Sequence, residues 1–136
     1  MNKNYLLNES KTFCMFPWMH LNVTPKGDIY PCCSNDYTKP FGNTKETTLK
    51  EAFNNPGMKQ LRLDMMSDVK NPLCANCYKK EDMGFKSMRQ NSMIRMPEIA
   101  EEAMTLTNDD GSLNDFKLTY LDIRFNNLCN FFVFLF

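Results

Sequence analysis

The stretch CMFPWMHLNVTPKGDIYPCC, residues 14–33, decides the fold. From Trp18 to Thr24 the residues Trp18, His20 and Asn22 alternate with Met19, Leu21 and Val23, the period-two pattern of a strand. Pro25-Lys26-Gly27-Asp28 follows, with a proline that fixes φ and a glycine free to take positive φ. Ile29-Tyr30-Pro31 then reads as a short returning strand, which makes the segment a β-hairpin. A hairpin folds the chain back on itself, so Cys32 returns to the end from which Cys14 set out. Two thiols 18 positions apart become neighbours.

Outward from the hairpin, residues 1–12 are polar and are expected to be a flexible N-terminus. Residues 34–47 are rich in turn formers and read as a loop. Thr48-Leu49-Lys50-Glu51 is a capping box that opens a short helix, and Asn54-Asn55-Pro56-Gly57 closes it. Pro56 also suits the first turn of a second helix through about Asp68, with Met58, Leu61 and Met65 on one packing face. Asn71-Pro72 ends that helix and delivers Cys74-Ala75-Asn76-Cys77. Tyr78 to about Met93 reads as one charged helix, with Asp82, Arg89 and Lys79, Lys80 and Lys86 on a solvated face. A short helix is expected over residues 97–104. The turn Asn108-Asp109-Asp110-Gly111-Ser112 lacks the ligand spacing of a calcium loop. From Phe116 to Phe125 a β-rich alternation returns and runs into Asn126-Asn127-Leu128-Cys129. The fold class is α+β: a small hairpin plus helices around a four-cysteine site.

A chain of 136 residues is one domain or part of one. Its 16 Lys and Arg balance 16 Asp and Glu, so no net field draws it to nucleic acid or an anionic membrane. Apolar residues at 43% and charged residues at 24% are globular values, which disfavours a disordered chain. The longest apolar run, FFVFLF at residues 131–136, is far below the ~20 residues needed to span a bilayer. The eleven methionines read as adaptable core filler. No nucleophile with a histidine partner and no phosphate-binding glycine loop is present. Nothing at the N-terminus resembles a signal peptide, and the protein is expected to be cytoplasmic. Thiols stay reduced there, so six cysteines point to a metal or a cluster rather than to disulfides.

Cys74 and Cys77 form a Cys-x2-Cys pair, able to bite one metal centre from a single turn. Cys14 and Cys32, joined by the hairpin, supply two more ligands, so a four-cysteine site is complete without Cys33 or Cys129. Cys33 is expected to pack, because the side chains of adjacent residues diverge along a strand. The lone histidine, His20, is expected to be structural.

Cys14, twelve residues, Gly27, four residues and Cys32, followed by Cys74-x2-Cys77, resembles the auxiliary iron–sulfur domain of radical SAM proteins. The further cysteines of the longer SPASM pattern are missing, so the shorter "twitch" type is the closer match. The likeness extends over Gly84-Phe85-Lys86-Ser87-Met88-Arg89 and over Leu121 to Asn130. It implies a 4Fe–4S cluster on Cys14, Cys32, Cys74 and Cys77 that orients a substrate or relays an electron. It also implies that residues 116–136 begin a radical SAM α/β barrel, with Cys129 as first ligand of a Cys-x3-Cys-x2-Cys loop. Here the pattern breaks: Val133 and Phe136 occupy the second and third positions, and neither can ligate iron. S-adenosylmethionine and a second 4Fe–4S cluster are therefore expected only in an intact relative, and no catalytic residue is assigned, Asp122 and Arg124 included. The change from polar sequence to FFVFLF where the loop should form suggests an amino-terminal portion ended by a frameshift or gene truncation. The other reading is a terminal strand packed in the core.

The resulting division is a flexible segment at 1–12, a twitch/SPASM-like domain at 13–95, a linker with a short helix at 96–115 and the broken core at 116–136. The substrate is unknown, with a peptide and a small molecule as the candidates, and neither nucleic acid nor membrane is expected as a partner. Two alternatives stay open: a structural four-cysteine zinc domain, and an interaction module whose cysteines are incidental.

Overall fold

The computed structural model describes residues 2–126. Its architecture is mixed, with a three-stranded sheet and several short helices. The elements are α1 (Lys3–Asn8), α2 (Phe16–Met19), β1 (His20–Val23), β2 (Ile29–Tyr30), α3 (Leu49–Phe53) and α4 (Pro56–Met66). A 3₁₀ turn (Pro72–Cys74), α5 (Ala75–Asp82), α6 (Met88–Arg95), α7 (Ile99–Leu106) and β3 (Tyr120–Ile123) complete the order.

The hairpin forms where the sequence places it: β1 and β2 pair antiparallel in the register Asn22 to Tyr30 and Val23 to Ile29. Gly27 takes φ of 87° in the turn, where the amide N–H of Gly27 donates to the Thr24 carbonyl at 2.9 Å. Trp18 and Met19, expected as strand, instead lie in the helical turn α2, because Pro17 in its first turn presets the helical φ. Their apparent alternation is uninformative, since every residue from Trp18 to Val23 is buried.

β3 adds to the other side of β1, parallel, with His20 opposite Tyr120 and Val23 opposite Ile123, in the order β2-β1-β3. The expected strand over 116–125 shrinks to these four residues for a geometric reason. β1 begins only at His20, so residues 116–119 have no strand to pair with.

The first twelve residues were expected to be flexible, yet Lys3–Asn8 is helical, capped by the Asn2 side chain accepting from the Tyr5 amide. Leu6 is fully buried, and α1 packs on α7. The expected single helix over 78–93 is two. Gly84, at φ 81°, ends α5 in a left-handed cap where the Gly84 amide donates to the Glu81 carbonyl and the Phe85 amide to the Lys80 carbonyl. Ser87 then opens α6 with a capping box to Gln90. The break turns Arg89, expected to be solvated, into the interior, where it is 3% exposed. Asp82, Lys79, Lys80 and Lys86 do face solvent.

The capping box at Thr48 and Glu51 and the packing face of Met58, Leu61 and Met65 on α4 are as expected. Met15, Met19, Met58 and Met65 lie with Phe13, Leu21, Ile29 and Phe53 in the core. Arg62 of α4 is buried completely among them. Its Nε donates to the Pro17 carbonyl at 2.9 Å, Nη1 to the Gly111 carbonyl at 3.0 Å and Asn54 Oδ1 at 3.2 Å, and Nη2 to the Phe53 carbonyl at 2.7 Å. Burial lowers its pKa to about 10, which leaves it charged at neutral pH. One guanidinium thus ties α4 to α2, to the end of α3 and to the loop at Gly111. That loop approaches so closely that a Cβ on Gly111 would meet the Lys59 carbonyl.

Replacing Arg62 by methionine keeps most of the volume and strands these carbonyls without donors. Each buried acceptor left unmade costs about 1–3 kcal/mol, so R62M is expected to lose about 3 kcal/mol in denaturant unfolding; an unchanged midpoint would count against the tie.

A second expectation concerns acid. Burial pushes the Glu81 carboxyl up, but the bonds from Arg89 and Ser87 outweigh it and hold the pKa below the ordinary 4.5. A carboxylate whose folded pKa is lowered contributes stability above its unfolded pKa and loses it as pH falls through the folded one. The stability advantage of the wild type over E81Q should therefore be full at neutral pH and narrow below pH 4.5; a difference independent of pH would contradict the pairing.

Candidate metal centre

Each of the four cysteines is placed by local chemistry that the sequence encodes. Cys14 follows a tight turn in which Ser10 Oγ accepts from the Thr12 amide at 3.3 Å and the Phe13 amide at 3.0 Å. Arg89 Nη1 closes that turn by donating to the Ser10 carbonyl at 3.2 Å and the Phe13 carbonyl at 2.9 Å. Cys32 comes off β2 after Pro31, and its carbonyl accepts from Asn35 Nδ2. Cys74 ends the 3₁₀ turn that Asn71 caps by accepting from the Leu73 amide at 3.0 Å. Cys77 lies three residues on, in the first turn of α5, on the same helical side. Asn76, between them, donates to the Ser34 carbonyl at 3.1 Å and the Asn35 carbonyl at 3.4 Å. That side chain clips the Cys74–Cys77 turn onto the loop that follows Cys32.

Cys14, Cys32, Cys74 and Cys77 consequently line one cavity of about 20 Å³, walled by Phe16, Pro31, Leu61, Met65, Leu73 and Arg89 among others. This is room for about one water. The four thiols are in electrostatic contact with one another across it. Burial, with Cys77 adding to it, pushes the Cys14 thiol up to about 11, against the opposing pull of the Phe16 backbone amide, then Ser92 and Arg89. Burial and then Cys14 push Cys74 up to about 12. The same two causes raise Cys32 well above its ordinary value. All three are neutral thiols at physiological pH. Among the described residues no histidine or carboxylate lines the cavity, so its donor set is soft sulfur, suited to iron–sulfur or zinc and unsuited to calcium or magnesium. Among the described residues no three His, Cys, Asp or Glu side chains form a group that could hold a metal ion.

The remaining candidates fall elsewhere. Cys33 opens on the neighbouring cavity, of about 410 Å³, with Phe16, Met19, Met88 and Tyr120. His20 is buried, its Nδ1 at 3.0 Å from the Tyr120 carbonyl and its ring stacked 4.6 Å from that of Tyr120. It does not line the cysteine cavity, and burial lowers its pKa. Cys129, Val133, Phe136 and the run at 131–136 lie outside the described residues.

Three residues that touch the site escaped the sequence reading. Arg89 lines the cavity, and Ser92 Oγ stands 3.6 Å from Cys14 Sγ. The Tyr78 hydroxyl is buried beside Cys74, with which it interacts. The only signal for the first two was Gly84, whose break turns α6 inward.

The family model of the SPASM iron–sulfur cluster-binding domain matches residues 14–78. No curated protein and no solved structure matches the chain. The matched segment opens on Cys14 and closes one residue after Cys77, so it contains all four cavity cysteines and leaves α6 outside. Residues 14–78 are thus similar to the SPASM domain, a family described as iron–sulfur cluster-binding.

Proposed function

We propose that this domain holds a 4Fe–4S cluster on Cys14, Cys32, Cys74 and Cys77, as the auxiliary centre of a radical SAM protein. The observation that carries the reading is that three separate chain segments inside the SPASM match bring their cysteines to one cavity. When bound, such a cluster supplies a one-electron carrier or an iron site that orients a peptide or small-molecule substrate.

The chain's own residues do the rest. Its thiols give up their protons on loading, so assembly is favoured as pH rises. Phe16, Leu61, Met65 and Leu73 keep water from the sulfurs. Asn76 holds the Cys74–Cys77 turn against the Cys32 loop. The radical SAM context rests on the sequence pattern from Leu121 to Cys129.

The sulfur donor set suits an iron–sulfur cluster and a structural zinc alike, so metal and sulfide analysis separates the two readings.

Anaerobic reconstitution of the full chain with ferrous iron and sulfide should give a brown protein with about four iron and four sulfide per chain. Serine at Cys32 or Cys77 should lose most of that iron, and C33S should retain it. A colourless chain carrying one zinc and no iron would overturn the cluster in favour of the zinc domain.

Full iron loading in C32S and C77S would instead overturn the ligand assignment.

A further inference from the structure

The four-cysteine cavity has a wall that the matched segment does not supply. Ser92 and Arg89, both on α6, are buried at 6% and 3% exposure. Ser92 Oγ lies 3.6 Å from Cys14 Sγ and also donates to the Arg89 carbonyl at 2.7 Å. While Cys14 is a thiol, its S–H can donate to Ser92 and the Ser92 proton can stay on that carbonyl. A metal-bound thiolate has no proton to give. The contact then persists only with Ser92 turned to donate to sulfur, and the carbonyl it leaves is one that a helix amide four residues on normally occupies.

Arg89 is held from the far side. Its Nε and Nη2 donate to Glu81 Oε1 at 2.9 Å and Oε2 at 2.6 Å, a two-pronged pair. Ser87 Oγ fixes the same carboxylate at 2.5 Å. Arg89 lines the cysteine cavity and its charge acts on Cys14 and Cys74, whereas Glu81 does not line the cavity. The sulfurs therefore face the positive end of the pair.

We propose that α6 belongs to the cluster site: Ser92 donates a hydrogen bond to the Cys14 sulfur and Arg89 places a fixed positive charge beside it, and together they raise the cluster's reduction potential. The proposal rests on the cluster reading above. Both are positioning residues, acting through the ligand rather than as ligands. Reduction adds negative charge to the cluster and its sulfurs, and a donor and a cation aimed at sulfur favour that state.

The test is an EPR-monitored redox titration of the reconstituted full chain. S92A removes the donor with little change of shape and should move the potential to a more negative value at unchanged iron content, whereas S92T keeps the hydroxyl and should restore the wild-type potential. R89Q should move it in the same direction as S92A, and the serine variants decide if R89Q does not fold. A potential in S92A equal to wild type, with the cluster intact, overturns this inference alone. A wild-type chain that takes up no iron and sulfide overturns the cluster reading and this inference with it.

Discussion

The guanidinium of Arg89 sits where the segments that carry the cysteines meet, and its hydrogen bonds set the geometry of the site. Two of its bonds hold the carbonyls of Ser10 and Phe13, just before Cys14, and two hold Glu81, one turn after Cys77. Cys14 and the Cys74–Cys77 turn are separated by 60 residues of sequence, and no sheet pairs them. A buried cation with its donors satisfied on both sides is what fixes their separation. Arg62 does the same for the core below, with carbonyls and an amide oxygen as acceptors in place of a carboxylate. Burying a charge is costly unless its hydrogen bonds are made. Both sites meet that condition, and each guanidinium consequently specifies one arrangement of the elements around it.

Much of this was legible locally. The proline and glycine of the hairpin turn, the Thr48 capping box and the Met58, Leu61 and Met65 face are short-range signals, and each element forms where its signal lies. The cysteine spacing was legible too, because the hairpin explains how Cys14 and Cys32 meet. What local pattern does not carry is pairing at long range. β3 joins β1 from 100 residues away, and nothing in either strand names the other. Arg89 was misread because a charge in a charged stretch looks solvated until the left-handed Gly84 breaks the helix and turns α6 inward. Trp18 and Met19 were misread because a segment buried on all sides has no informative period. In the N-terminal segment, Leu6 is buried with Tyr5 and Leu7 packed beside it, and α1 docks on α7, a distant partner that the short segment does not name.

The site itself combines two properties that oppose each other in the ligand-free chain. Burial keeps the thiols protonated and inert, and the Phe16 amide, Ser92 and Arg89 pull the other way at Cys14. The apolar wall that raises the thiols would also shield a cluster from solvent, and the polar groups of α6 would then act on its charge. Cys33, next to Cys32 in sequence, is kept out by facing the larger neighbouring cavity. Adjacent cysteines therefore have separate surroundings.

The central claim is that four specific thiolates carry one four-iron cluster. Mössbauer spectroscopy of the anaerobically iron-loaded chain tests it most directly, because it reports the nuclearity of the iron centre and not merely its amount. The account predicts a single component of coupled four-iron type, lost when Cys74 is replaced by serine. A spectrum of mononuclear or two-iron sites, or a four-iron signal that survives in C74S, would contradict it.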